Sequence, residues 1–138
     1  MEKAKIITVQ VIEARNFLPL LFNITNQFFL VQIGKQSQTT QVIRSTFNPR
    51  WNQAFKFEIC EEGLINPDEI NLEVSIYYVH GLFSKKLIGK VQKAMDRFPG
   101  EFDAWFEFTT DDILIRRKLD EIASFGLKCE IHLKISKE

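Results

Sequence analysis

Apolar side chains recur at every second position along most of this chain. In Lys5 to Ala14, Ile7, Val9 and Val11 fall on one face and Thr8 and Gln10 on the other. That period marks a half-buried strand, because successive side chains of a strand point to opposite sides. Phe55, Phe57 and Ile59 repeat it in Ala54 to Ile59, and Ile70, Leu72, Val74 and Ile76 repeat it in Ile70 to Tyr78. In Phe102 to Phe108, Phe102, Ala104, Phe106 and Phe108 share a face opposite Trp105. Lys128 to Ile135 sets Cys129, Ile131, Leu133 and Ile135 against Lys128, Glu130 and Lys134. Phe28 to Ile33, closed by Gly34, Gln38 to Ile43, and Leu87 to Val91 complete eight strands. Asn48-Pro49, Gly63 and Pro67 punctuate them as turn signals. The economical arrangement is an all-β sandwich of two packed four-stranded antiparallel sheets.

One segment breaks the period. TTDDILIRRKLDEIASFG predicts a helix from Asp111 to Ser124, inserted before the last strand. Ile115, Leu119 and Ile122 stand at i, i+4 and i+7, one apolar stripe. Thr110 suits the N-cap, Asp111 and Asp112 suit the positive end of the helix dipole, and Gly126 suits the stop. Arg116, Arg117, Lys118, Asp120 and Glu121 make a charged outer face.

The chain has 138 residues, enough for one domain spanning 1–138, read either as a whole protein or as a piece of a longer chain. Its 18 Lys and Arg balance 18 Asp and Glu. That balance argues against a nucleic-acid binder, which needs a basic excess. Cys60 and Cys129 lie singly in strand-like segments and read as reduced, buried thiols, a cytoplasmic habit. MEKAKIITVQVIEARN lacks the apolar run of a signal peptide, and no run of about 18 apolar residues suggests a membrane span. A membrane would be met from outside, as a peripheral protein.

Catalytic groupings are missing. His80 and His132 are the only histidines; His80 has no His, Cys or carboxylate nearby in sequence, and His132 lies in an alternating strand. No GxGxxG, GxSxG or HExxH pattern occurs. The expectation is a non-enzyme with no small-molecule substrate.

The block TTQVIRSTFNPRWNQAFKFEI closely resembles the C2 domain family. An Asn-Pro turn is followed by Trp51-Asn52 and an alternating Phe strand, with Trp51 as a large aromatic for the sandwich end. LEVSIYYVHGLFSKKLIGKV and CEIHLKIS extend the resemblance over nearly the whole chain. FSKKLIG and FPGEFDAWFEFTTDD are most similar to the ferlin type. The resemblance implies an eight-stranded antiparallel C2-type β-sandwich whose loops at one end form the functional surface. In calcium-binding members that end carries about five aspartates, since Ca²⁺ takes 6–8 oxygen ligands.

Here those positions carry Leu20, Asn26, Tyr78, His80 and Lys86. From Asn16 to Phe29, and from Ile76 to Gly89, there is no Asp or Glu. The expectation is no metal, no calcium and no other cofactor. The same loops carry Phe17, Leu18, Leu20, Leu21 and Phe22 around Pro19, and Leu82 and Phe83 beside Lys85 and Lys86. Leu20, Leu21, Phe22, Leu82, Phe83, Lys85 and Lys86 are therefore the candidate contact residues. They suit an anionic phospholipid membrane surface or a protein partner, unless the apolar ones fold inward as a cap. The lysine cluster that binds phosphoinositide in some relatives falls on Thr39 and Gln41 and is largely missing, although Lys35, Arg44, Arg50 and Lys56 remain nearby.

Overall fold

The computed structural model describes residues 4–16, 26–44, 50–60, 71–80, 84–94 and 100–137. The expected sandwich is found. One sheet has the order β5(Arg50–Cys60), β1(Ala4–Arg15), β9(Glu130–Lys137), β8(Glu101–Glu107). The other runs β3(Gln36–Thr39), β2(Asn26–Ile33), β6(Asn71–His80), β7(Ser84–Ala94). All pairings are antiparallel. A two-residue strand, β4(Ile43–Arg44), also pairs with β2. The helix α1(Ile113–Ala123) precedes the last strand, as the sequence implies.

The period-two side chains form the core. Ile7, Val9 and Val11 of β1 meet Phe29, Val31 and Ile33 of β2 and Leu72, Val74 and Ile76 of β6 in one buried cluster. Trp51 is buried and meets Phe29 edge-on, with ring centroids 4.5 Å apart. Cys129 is a free, buried thiol, and burial raises its pKa well above the usual value. The Cys60 side chain lies outside the described residues.

Of the boundaries that differ from the sequence reading, three bear on the site. The single strand expected over Gln38 to Ile43 is broken at Thr40–Val42. Thr40 turns its side chain inward, and its Oγ1 accepts the Phe29 N–H at 2.9 Å. The helix is capped by Asp112 instead of Thr110. Thr109 is still paired with Lys90 of β7 in extended backbone, so the helix begins later. Asp112 accepts from the Leu114 and Ile115 N–H groups at 2.9 and 3.0 Å. At the other end Leu127 N–H reaches Ile122 O and Gly126 N–H reaches Ala123 O, with Gly126 at φ 78°. This closure needs a left-handed residue, for which glycine is suited.

The third correction concerns Lys85 and Lys86. They belong to strand β7 and not to a loop, because the β6–β7 ladder continues to His80 opposite Ser84. The polar run Ser84-Lys85-Lys86 shows no apolar alternation and so hides the strand. A bulge opposite Ile76 and Tyr77 puts Ile88 out of step with Leu87 and Gly89.

The long edges of the sandwich are sealed by side chains. Gln36 and Gln38 of β3 donate to the Glu58 and Lys56 carbonyls of β5 at 2.7 and 2.9 Å. Gln53 of β5 accepts the Gln41 N–H at 2.7 Å. On the far side, Lys93 of β7 lies over the Phe102 and Phe106 rings of β8 at 4.8 and 5.7 Å.

Candidate functional site

Strand register fixes what the β6–β7 end presents. Tyr78 stands opposite Lys86, Val79 opposite Lys85, and Asn26 opposite Val79. Neighbouring residues of a strand face opposite ways, so the two lysines cannot form one patch. Lys85 lies on the outer face, with its ammonium 5.0 Å from the Tyr77 ring centroid and 5.9 Å from that of Phe28. Those two rings are themselves stacked, centroids 5.4 Å apart. The aromatic faces attract the cation while leaving it exposed.

Lys86 turns the other way. Its Nζ lies 2.9 Å from Asp112 Oδ2, tying the first residues of β7 to the N-cap of α1. The hydrogen bond to Asp112 raises the Lys86 pKa against a smaller opposing effect of burial. The same bond, with the backbone N–H of Ile115, lowers that of Asp112. One Asp112 carboxylate thus serves the ammonium and two helix amides. Tyr78 packs against the core, and Asn26 is half-buried at the start of β2.

Leu20, Leu21, Phe22, Leu82 and Phe83 lie outside the described residues, as does the side chain of His80. The strand ends that flank them are described. Among the described residues, no three His, Cys, Asp or Glu side chains gather where a metal ion could bind. No described helix is long and apolar enough to cross a membrane.

The opposite outer face, on β8, β9 and β1, carries a chain of contacts. Arg15 lies over Trp105 at 4.0 Å and pairs with Glu130 at 2.6 Å. Trp105 stacks on His132, centroids 4.9 Å apart, and His132 Nε2 meets Asp103 Oδ1 at 2.5 Å. His132 is therefore held in a surface stack with one carboxylate, which is a structural setting. Sequence reasoning placed His132 on a strand but missed this arrangement, because it depends on the pairing of β8 with β9.

Residues 5–108 match the C2 domain family, and the chain belongs to it. Over 107 residues it is 35% identical to Synaptotagmin-4 of Arabidopsis thaliana, covering 74% of this chain and 18% of that protein. It is 30% identical over 87 residues to the Arabidopsis C2 and GRAM domain-containing protein At1g03370, covering 61% of this chain and 8% of the other. The chain thus spans less than a fifth of these relatives. Among solved structures, C2 domain A of plant Extended Synaptotagmin 1 superposes with a TM-score of 0.70 at 18% identity, covering 96% of this chain and 93% of that one. C2 domains A and B of Extended-Synaptotagmin 2 give 0.66 at 18%, covering 97% and 39%. At such identity these structures establish the shared fold.

Proposed function

We propose that this C2 domain is a non-catalytic docking module that holds a cytoplasmic protein against an anionic phospholipid surface without calcium. The observation that carries this reading is the ammonium of Lys86, standing opposite Tyr78 and bonded to Asp112. A position that calcium-binding relatives give to a carboxylate holds a fixed positive charge instead. Its nearest described carboxylate is already spent on that charge and on the helix amides. Asn26, Tyr78 and Lys86 do not make the set of hard, anionic oxygens that Ca²⁺ requires.

Attraction to the membrane then rests on this chain's own groups. Leu20, Leu21, Phe22, Leu82 and Phe83 supply apolar surface, worth ~0.8 kcal/mol per buried CH₂. Lys85, exposed on β7, adds about 1 kcal/mol near an anionic surface. The ferlin-type kinship drawn from FSKKLIG and FPGEFDAWFEFTTDD belongs to the same proposal. Alignment against ferlin and synaptotagmin C2 domains tests it.

Sedimentation with anionic and with neutral liposomes, with and without Ca²⁺, tests the docking. The expected result is binding to anionic liposomes that ignores Ca²⁺ and is lost in a Leu82→Ser/Phe83→Ser variant. Binding that requires Ca²⁺ overturns the calcium-independent reading. Absence of binding under every condition overturns the docking and leaves the same residues as a protein contact or as an inward-folded cap of the sandwich.

A further inference from the structure

The exposed apolar residues of this domain are not scattered. Seven large hydrophobic side chains are exposed among the described residues, and four of them are Ile113, Leu114, Phe125 and Leu127. Ile113 and Leu114 are each 67% exposed and Phe125 is 76% exposed. Ile113 and Leu114 are the first two residues of α1, and Phe125 and Leu127 follow its end; the inner stripe of Ile115 and Ile122 is buried in the core. Single exposed apolar residues need no explanation, but a concentration of them marks a contact surface.

Two contacts fix where this segment lies. At its start, Asp112 is bonded to Lys86, at the first residues of β7, immediately after the 81–83 connection. At its end, Asn16 Nδ2 donates to Lys128 O at 2.7 Å, immediately before the 17–25 connection. The helix therefore joins the same end of the sandwich as both apolar connections, bridging from one to the other. Eleven residues of helix span about 16 Å.

We propose that α1 and its flanks form a third contact with the lipid surface, a proposal that rests on the docking reading. Ile113 and Leu114 enter the interface at one end of the helix, and Phe125 and Leu127 at the other. Arg116 and Arg117 are exposed between them, at the level of anionic headgroups. The nearby acids Asp112 and Glu121 are engaged by Lys86 and Lys118. Asp111 and Asp120 remain exposed, so apolar contact leads and charge adds a modest preference for anionic lipid. A lipid surface is the occupant because both ends of the helix are tied to the sandwich end that the docking reading turns toward the bilayer, and Arg116 and Arg117 stand exposed between its apolar ends.

The test compares an Ile113→Ser/Leu114→Ser variant and a Phe125→Ser variant with the wild-type domain. The vesicles are mixed phosphatidylserine/phosphatidylcholine. These side chains are exposed, so thermal unfolding of both variants should match wild type. The expected result is vesicle partitioning lower by about tenfold in the double variant. A Leu114→Trp variant should also be quenched by lipids brominated in the acyl chain. Wild-type partitioning in both helix variants, with loss in Leu82→Ser/Phe83→Ser, overturns the helix contact and leaves the docking reading standing. No vesicle binding by the wild-type domain overturns both. A concentration-dependent dimer that Ile113→Ser/Leu114→Ser abolishes assigns the patch to a second copy, and also overturns the lipid contact.

Discussion

At Gly89 the sandwich leaves no room for a side chain. A Cβ there would lie 2.3 Å from Phe108 Cδ2 and 2.6 Å from the Thr109 carbonyl. Phe108 is buried and Thr109 is paired with Lys90, so neither can withdraw cheaply. Gly89→Ala should destabilise by roughly 2 kcal/mol, the usual cost of overpacking, read as a shift of the denaturation midpoint at constant m-value. Cys129 gives a second prediction at this scale. Its burial and raised pKa keep the thiolate scarce, so thiol reagents should label it only on unfolding. Labelling of the native domain at Cys129, read by mass spectrometry, would contradict that.

For single elements, the Lys86–Asp112 bond joins a strand to a helix cap. Asp112→Ala removes the cap and the ion pair together and should cost roughly 1–2 kcal/mol, most of it from the cap. Asp112→Asn keeps a capping oxygen and should cost less. The pH dependence follows from the two shifts. Asp112 is lowered from 3.8, so its contribution is present above that value and is lost as pH falls through its lowered pKa. Lys86 is raised from 10.5, so its contribution is complete below that value and is lost as pH rises through its raised pKa. The wild-type minus Asp112→Ala stability difference should hold between those limits and shrink beyond them. The same elements show what sequence reveals. Strands with apolar alternation, and the Ile115–Leu119–Ile122 stripe, were legible because burial writes its period directly into residue type. The cap was not, because Thr110 and Asp112 are both good caps and the choice depends on Thr109 pairing with a distant strand. The first residues of β7 were not, because backbone pairing there carries no apolar signal.

For the whole molecule, strand alternation divides the labour of Lys85 and Lys86. In sequence they form one basic pair. In the fold, Lys85 faces outward over Tyr77, while Lys86 is held by Asp112. Lys85→Glu should weaken binding to anionic vesicles by about tenfold or more at low salt, and the gap should narrow as salt rises. Lys86→Met should lower the unfolding temperature while changing vesicle binding less. Equal loss of binding in both variants, with unchanged stability, would sink this division. The glutamine seam between β3 and β5 bears on how copies docked as proposed would behave beside one another. Confinement to a surface raises local protein density, and bare strand edges then invite one copy to extend the sheet of another. Here Gln36 and Gln38 already occupy the Glu58 and Lys56 carbonyls. That flank withholds two acceptors from a neighbouring copy, which disfavours extension of the sheet through β5 wherever copies crowd together.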